Sequence, residues 1–191
     1  MKLTVQRLLE YVEQTPVIPA VKDEAGLQAV RETESRVVFI LFGDILTIGG
    51  IVEQIHAMNK RAIVHADLVS GLSSREIAAD FIAKNTGADG IISTKPSVIR
   101  RAHELGLFTI QRFFLLDSMA LNNLRQQAAQ TRPDVVEVLP AGLTKVIRLL
   151  RREVGKNLIA GGLILDKDDV IAALGAGAAA VSTTNPLLWN L

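Results

Sequence analysis

Short, unbroken apolar runs recur along the chain at residues 17–21, 37–42, 62–66, 90–93, 108–112, 135–139, 158–160 and 178–181. They are rich in branched residues and do not alternate with polar ones. This is the pattern of parallel strands covered on both faces. The segments between them read as helices. Ile48, Ile51, Val52, Ile55 and Met58 line one face at helical spacing, and Leu143, Val146, Ile147, Leu150 and Val154 form the cleanest stripe. Ser73 and Glu76 have the spacing of a capping box before Ile77 and Phe81. Pro96 suits a first helical turn and Gly106 a helix end. Asp117 is placed to cap a helix carrying Leu121 and Leu124, and Asp166 precedes another with Asp169 in its first turn.

Eight strand–helix units in series predict an α/β fold, a compact (β/α)8 TIM-type barrel. Residues 1–191 form one domain in this reading, with an N-terminal helix at 4–13 before the first strand. An open doubly wound sheet is the rival, although it normally has fewer strands. A half-barrel echo favours closure: residues 87–94 (GADGIIST) resemble residues 177–183 (GAAAVST), at strands four and eight.

Composition narrows the function classes. With 21 Lys and Arg against 20 Asp and Glu, the chain is not a blanket polycation, although a local basic face is compatible with that sum. The absence of cysteine excludes disulfides, thiol nucleophiles and thiolate metal sites. Eight aromatics in 191 residues argue against a module that reads nucleic acid mainly by base stacking. The longest apolar stretch falls short of the roughly 18 residues a membrane span needs, so no membrane association and a cytoplasmic location are expected.

In a barrel the polar residues at the strand ends face the functional side. Gly161-Gly162 after strand seven and Ser182, Thr183 and Asn185 after strand eight make the most informative set. Glycines let backbone N–H groups approach a ligand, and a turn opened by Pro186 offers more free amides beside hydroxyls. Together they are candidates for a phosphate site; the bland alternative is tight turns with Asn185 as a cap. Asp67, Lys95, Arg112 and Glu137 are candidate polar contacts for the rest of a ligand. Equally open is that Lys95 is only the solvated residue before Pro96 and that Arg112 neutralises Glu137 or Asp67. His65 shares a strand face with Asp67 and reads most simply as a packed, hydrogen-bonded core histidine. No metal-ligand spacing stands out, and no cofactor is expected. Lys145, Arg148 and Arg152, with Arg151 adjacent, recur opposite the 143–154 stripe as a solvated face or a surface for an anionic polymer.

Seven segments follow one another in a recognisable order: 65–72 (HADLVSGL), 89–95 (DGIISTK), 110–114 (IQRFF), 117–118 (DS), 135–142 (VVEVLPAG), 159–164 (IAGGLI) and the ending, 182–185 (STTN) with 188–189 (LW). In these the chain resembles the glycerol uptake operon antiterminators, glycerol-3-phosphate-responsive regulators of bacteria, over nearly its full length. The resemblance implies a (β/α)8 barrel without turnover and without catalytic residues. Its effector would be glycerol 3-phosphate, and its second partner the leader mRNA of a glycerol-catabolic operon, protected from premature termination. It assigns Gly161, Gly162, Ser182, Thr183 and Asn185 to the phosphate and Asp67, Lys95, Arg112 and Glu137 to the glycerol end. Pro186 departs from it, standing where the family is expected often to carry a lysine. The RNA surface has no motif, so Lys145, Arg148, Arg151 and Arg152 rest on charge alone. A homo-oligomer is compatible with all of this. The alternative is a barrel enzyme acting on a small phosphorylated substrate, an isomerase, aldolase or phosphodiesterase, with Asp67, Glu137 and Lys95 as acid–base groups.

Overall fold

A computed structural model describes residues 2–155 and 157–191. Eight parallel strands pair in chain order: β1 (Val17–Val21), β2 (Val37–Ile40), β3 (Arg61–His65), β4 (Gly90–Ser93), β5 (Phe108–Phe114), β6 (Val135–Leu139), β7 (Leu158–Gly161) and β8 (Ala180–Thr183). β8 returns to β1, with Ile18 opposite Ser182, so the sheet closes into a barrel. Before β1 lies α1 (Val5–Gln14). The strands β1 to β7 are each followed by a helix: α2 (Glu24–Ala29), α3 (Ile48–Ala57), α4 (Ile77–Asn85), α5 (Pro96–Glu104), α6 (Ser118–Thr131), α7 (Thr144–Val154) and α8 (Lys167–Gly175). A single 3-10 turn, Pro186–Leu188, follows β8.

The continuous apolar runs have a physical cause. Successive side chains in a strand point to opposite faces, and here both faces are dry. Ile18, Phe39, Ile63, Ile92, Ile110, Ile159 and Ala180 fill the barrel interior, where they meet Leu3, Leu8 and Val12 from the N-terminal segment. α1 therefore plugs the end of the barrel from which the strands start. Alternate residues, among them Val38, Val64, Ile91, Val138 and Val181, pack outward against the helices. Functional groups are left only the opposite end, where the strands stop.

Caps fix several boundaries. Asp117 accepts from the Ala120 N–H at 2.8 Å and Asp166 from the Asp169 N–H at 3.0 Å, as their positions predict. Thr4 accepts from the Arg7 N–H, so α1 spans Val5–Gln14 and not 4–13. The expected capping box of Ser73 and Glu76 does not form. Glu76 itself has helical dihedrals and caps nothing through its side chain. β5 runs two residues past Arg112, and β8 starts at Ala180, which places Ser182 and Thr183 inside the strand. The two echoing segments do occupy equivalent places: Gly87 and Gly177 both have positive φ (+67° and +108°) just ahead of β4 and β8.

Candidate functional site

At the C-terminal ends of the strands a pocket of about 310 Å³ opens between β7, β8 and their loops. Its polar lining comes from Arg112, Ser182, Thr183, Thr184 and the backbone at Gly162; Ala20, Leu41, Leu139 and residues 163–165 supply apolar walls.

The pocket floor is a buried polar layer built from β5, β6 and β8, with β7 between the last two. Glu137 on β6 is fully buried, and both its oxygens are engaged. Oε2 accepts from Arg112 Nε on β5 at 2.7 Å, and Oε1 accepts from the Ser182 hydroxyl on β8 at 2.6 Å. The register sets this up, because Arg112 lies opposite Glu137 and Gly161 opposite Ser182. Gly161 stands between the bonded pair: a Cβ there would collide with Ser182 Oγ and lie 3.0 Å from Glu137 Oε1. Its missing side chain is what lets β6 and β8 share a hydrogen bond across β7. Arg112 thus has one edge tied down. Its two Nη groups have no partner among the described residues, and the side chain lines the pocket.

Above this layer the chain turns sharply. Gly162 has φ +73° and Leu163 φ +56°, two successive left-handed residues of which only the first is a glycine. The backbone N–H groups of Leu163, Ile164 and Thr184 find no acceptor among the described residues, and all three residues line the pocket. Leu163 and Thr184 are exposed, but Ile164 is buried, and a buried backbone donor is normally paired. Unpaired amides beside a fixed guanidinium make a site for an anion with several oxygens.

The model of the family described as "Glycerol-3-phosphate responsive antiterminator" matches residues 17–189. The chain belongs to that family. It is 42% identical over 184 residues to "Uncharacterized protein YgcP" of Escherichia coli, covering 96% of each chain. Two solved structures are also similar. One is the glycerol uptake operon antiterminator regulatory protein of Listeria monocytogenes (31% identity, TM-score 0.87, 91% of this chain and 94% of that one). The other is a glycerol uptake operon antiterminator-related protein of Thermotoga maritima (33% identity, TM-score 0.81, 92% and 98%). Barrel enzymes share the shape at 17% identity and below, which speaks for the fold alone.

Of the residues that the family resemblance assigned to the phosphate, Gly162, Ser182 and Thr183 line this antiterminator-family pocket. Gly161 lies one step below it, and Asn185 turns away. The Asn185 side chain accepts from the Leu187 N–H and donates to the Leu165 carbonyl, tying the last turn to the β7–α8 loop. Of the four residues assigned to the glycerol end, only Arg112 lines the pocket. Glu137 is beneath it, held as described. Asp67 sits in a 3-10 turn after β3 and accepts from the Ser93 hydroxyl and from both the N–H and the hydroxyl of Thr94, at 2.6–2.7 Å. Burial pushes its carboxyl up, yet these hydrogen bonds hold it below the usual carboxylate value. Lys95, half a barrel away from β8, is exposed and is the residue before Pro96 that starts α5.

His65 departs from the sequence reading. It is buried, as expected of a core histidine, but its Nδ1 has no hydrogen-bond partner. Burial first, and then the Arg112 charge, push its pKa down to about 4, so the ring is neutral at pH 7. Nothing in the sequence signalled the unpaired nitrogen. Residues 163–165 were also missed as pocket walls, although three apolar residues directly after a Gly-Gly turn offered a signal. On α7, Lys145, Arg148 and Arg152 are exposed and make no ion pair among the described residues. Arg151 is half-buried, and its stem packs over Gly177. No helix of the described residues is long and apolar enough to cross a membrane.

Proposed function

We propose that this chain is a glycerol-3-phosphate sensor whose ligand-bound form binds the leader mRNA of a glycerol-catabolic operon and prevents premature termination, without catalytic turnover. The observation that carries the reading is the pairing of unpartnered amides at Leu163, Ile164 and Thr184 with the open Nη edge of Arg112, in a chain of this family. A phosphomonoester dianion satisfies both sets at once. The carboxylates suited to acid–base chemistry are already committed: Glu137 to Arg112 and Ser182, Asp67 to Ser93 and Thr94. That favours a binding site over a reactive one.

A sensor must bind its effector more tightly in the RNA-competent arrangement, or the two sites are uncoupled. A coupling of about 1–3 kcal/mol gives a five-fold to 150-fold change in RNA affinity. The exposed cations of α7 are the proposed phosphate contacts for RNA. The test is titration of labelled leader RNA with and without glycerol 3-phosphate. Affinity that rises with the ester, and not with glycerol, supports the reading; equal affinities reject it.

A further inference from the structure

Exposed large apolar side chains are not scattered over this barrel. Among the described residues most gather at the C-terminal ends of the strands, in the loops and in the first turns of α4 (Ile77) and α6 (Met119); Leu149 on α7, Ile171 on α8 and the terminal Leu191 lie elsewhere. The densest arc covers the end of β5 with the segment after it and the loops after β7 and β8. Phe114, Leu116, Met119, Leu163, Leu165 and Leu187 are 54%, 86%, 70%, 72%, 71% and 88% exposed. Together these six residues present on the order of 800 Å² to solvent, and exposed apolar groups gathered in this way mark interaction surfaces.

The arc is rigid. The Leu115 N–H donates to the Leu139 carbonyl at 2.7 Å, the Ala141 N–H to the Gly162 carbonyl at 3.1 Å, and the Asn185 side-chain amide to the Leu165 carbonyl at 3.3 Å. Each loop is thereby stitched to the next. Leu163 is held in the left-handed region with its side chain outward, a conformation that costs a non-glycine residue about 1 kcal/mol or more. A surface held in place at that cost is organised before anything lands on it.

We propose that this arc is the interface for a second copy of the same chain, packed mouth toward mouth. The area matches one side of a standard stable interface, roughly 800 Å² per partner, and a two-fold pairing needs only one such patch. Charge argues against a polyanion here, because the carboxylates set among these leucines are Asp117, Asp166 and Asp169. The chain's own described ends pack elsewhere: α1 closes the far end of the barrel, and Asn190 bonds to the Glu32 carbonyl. Leu163 and Leu165 also line the pocket, so the second copy completes its outer wall. That last consequence rests on the proposed function. The surface itself does not, and it is tested without ligand.

The experiment is sedimentation velocity of the full chain in ligand-free buffer across a hundred-fold concentration range, for wild type, Leu116→Glu with Leu187→Glu, and Leu149→Glu. The expected result is a dimer of about twice 20.7 kDa for wild type and Leu149→Glu, and a monomer for the double variant with unchanged circular dichroism. Should the double variant fail to fold, Leu163→Ser with Leu165→Ser replaces it, again with a monomer expected. A wild-type monomer throughout overturns the proposal. So does a dimer that survives both rim variants, or one that dissolves with Leu149→Glu. Wild type that stays monomeric yet binds RNA through this rim overturns it in favour of a nucleic-acid surface.

Discussion

Replacing Glu137 by Gln keeps the shape of the polar layer and removes its negative charge. In the native protein Glu137 is fully buried and Arg112 is 7% exposed, joined at 2.7 Å. The Gln carbonyl can still accept from the Ser182 hydroxyl, but Arg112 is left as a buried cation without an anion. Breaking a buried pair by removing one partner costs about 3–5 kcal/mol. The Arg112 side chain lines an open pocket and is not sealed in the core, so the low end, about 3 kcal/mol, is expected. For a chain of this size that lowers Tm by roughly 6–12 °C. Urea and thermal denaturation followed by circular dichroism measure it. The double variant Arg112→Met with Glu137→Gln removes the orphaned cation and is expected to be more stable than Glu137→Gln alone, with a coupling of about 1.5–3 kcal/mol. Glu137→Gln within about 0.5 kcal/mol of wild type, or strict additivity in the double variant, would refute the reasoning.

Other outcomes follow from the same geometry. His65 titrates near 4 in the folded chain against an ordinary 6.5, so between those values the unfolded chain holds a proton that the folded one does not. Stability is therefore complete above pH 6.5 and falls by about 3 kcal/mol toward pH 4; urea midpoints against pH should flatten in this window for His65→Asn. Asp67, held below its ordinary value, adds a further loss at lower pH. Gly162→Asp forces a side chain onto a left-handed residue, 3.0 Å from Leu139, and sets a carboxylate beside the open amides; glycerol 3-phosphate affinity by calorimetry should fall at least about ten-fold. Arg148→Gln with Arg152→Gln should weaken leader RNA binding and shrink its log–log salt slope by about 1.4, and an unchanged slope removes α7 from the RNA surface.

The barrel was legible because its cause is local. Nearly all strand residues are buried on both faces, so the sequence carries eight continuous apolar runs, and helix caps such as Asp117 and Asp166 lie where a side-chain oxygen reaches its own backbone. The capping box of Ser73 does not form because that pattern presumes a helix starting at the serine, whereas α4 starts only at Ile77, with Glu76 at its cap position. The site was legible only in part. The turn at Gly162 and the hydroxyls of β8 show in sequence because glycine and short polar residues at strand ends have few other uses. Which carboxylate pairs with Arg112 does not, since that depends on register between β5 and β6. In sequence Gly161 reads as an approach for ligand, whereas in the fold its missing side chain makes room for the Ser182–Glu137 contact, a meeting of residues 45 positions apart. The orphaned His65 nitrogen and the apolar rim are likewise products of closure, invisible until the strands form a ring.

The central claim is that the amides after β7 and β8, with Arg112, hold a phosphomonoester. Isothermal calorimetry of glycerol 3-phosphate against wild type and against the folded Arg112→Met, Glu137→Gln variant tests it most directly. Saturable one-to-one binding to wild type is expected, with none for glycerol and loss of the signal in the double variant. Silence from wild type, or undiminished binding after Arg112 is gone, would contradict it.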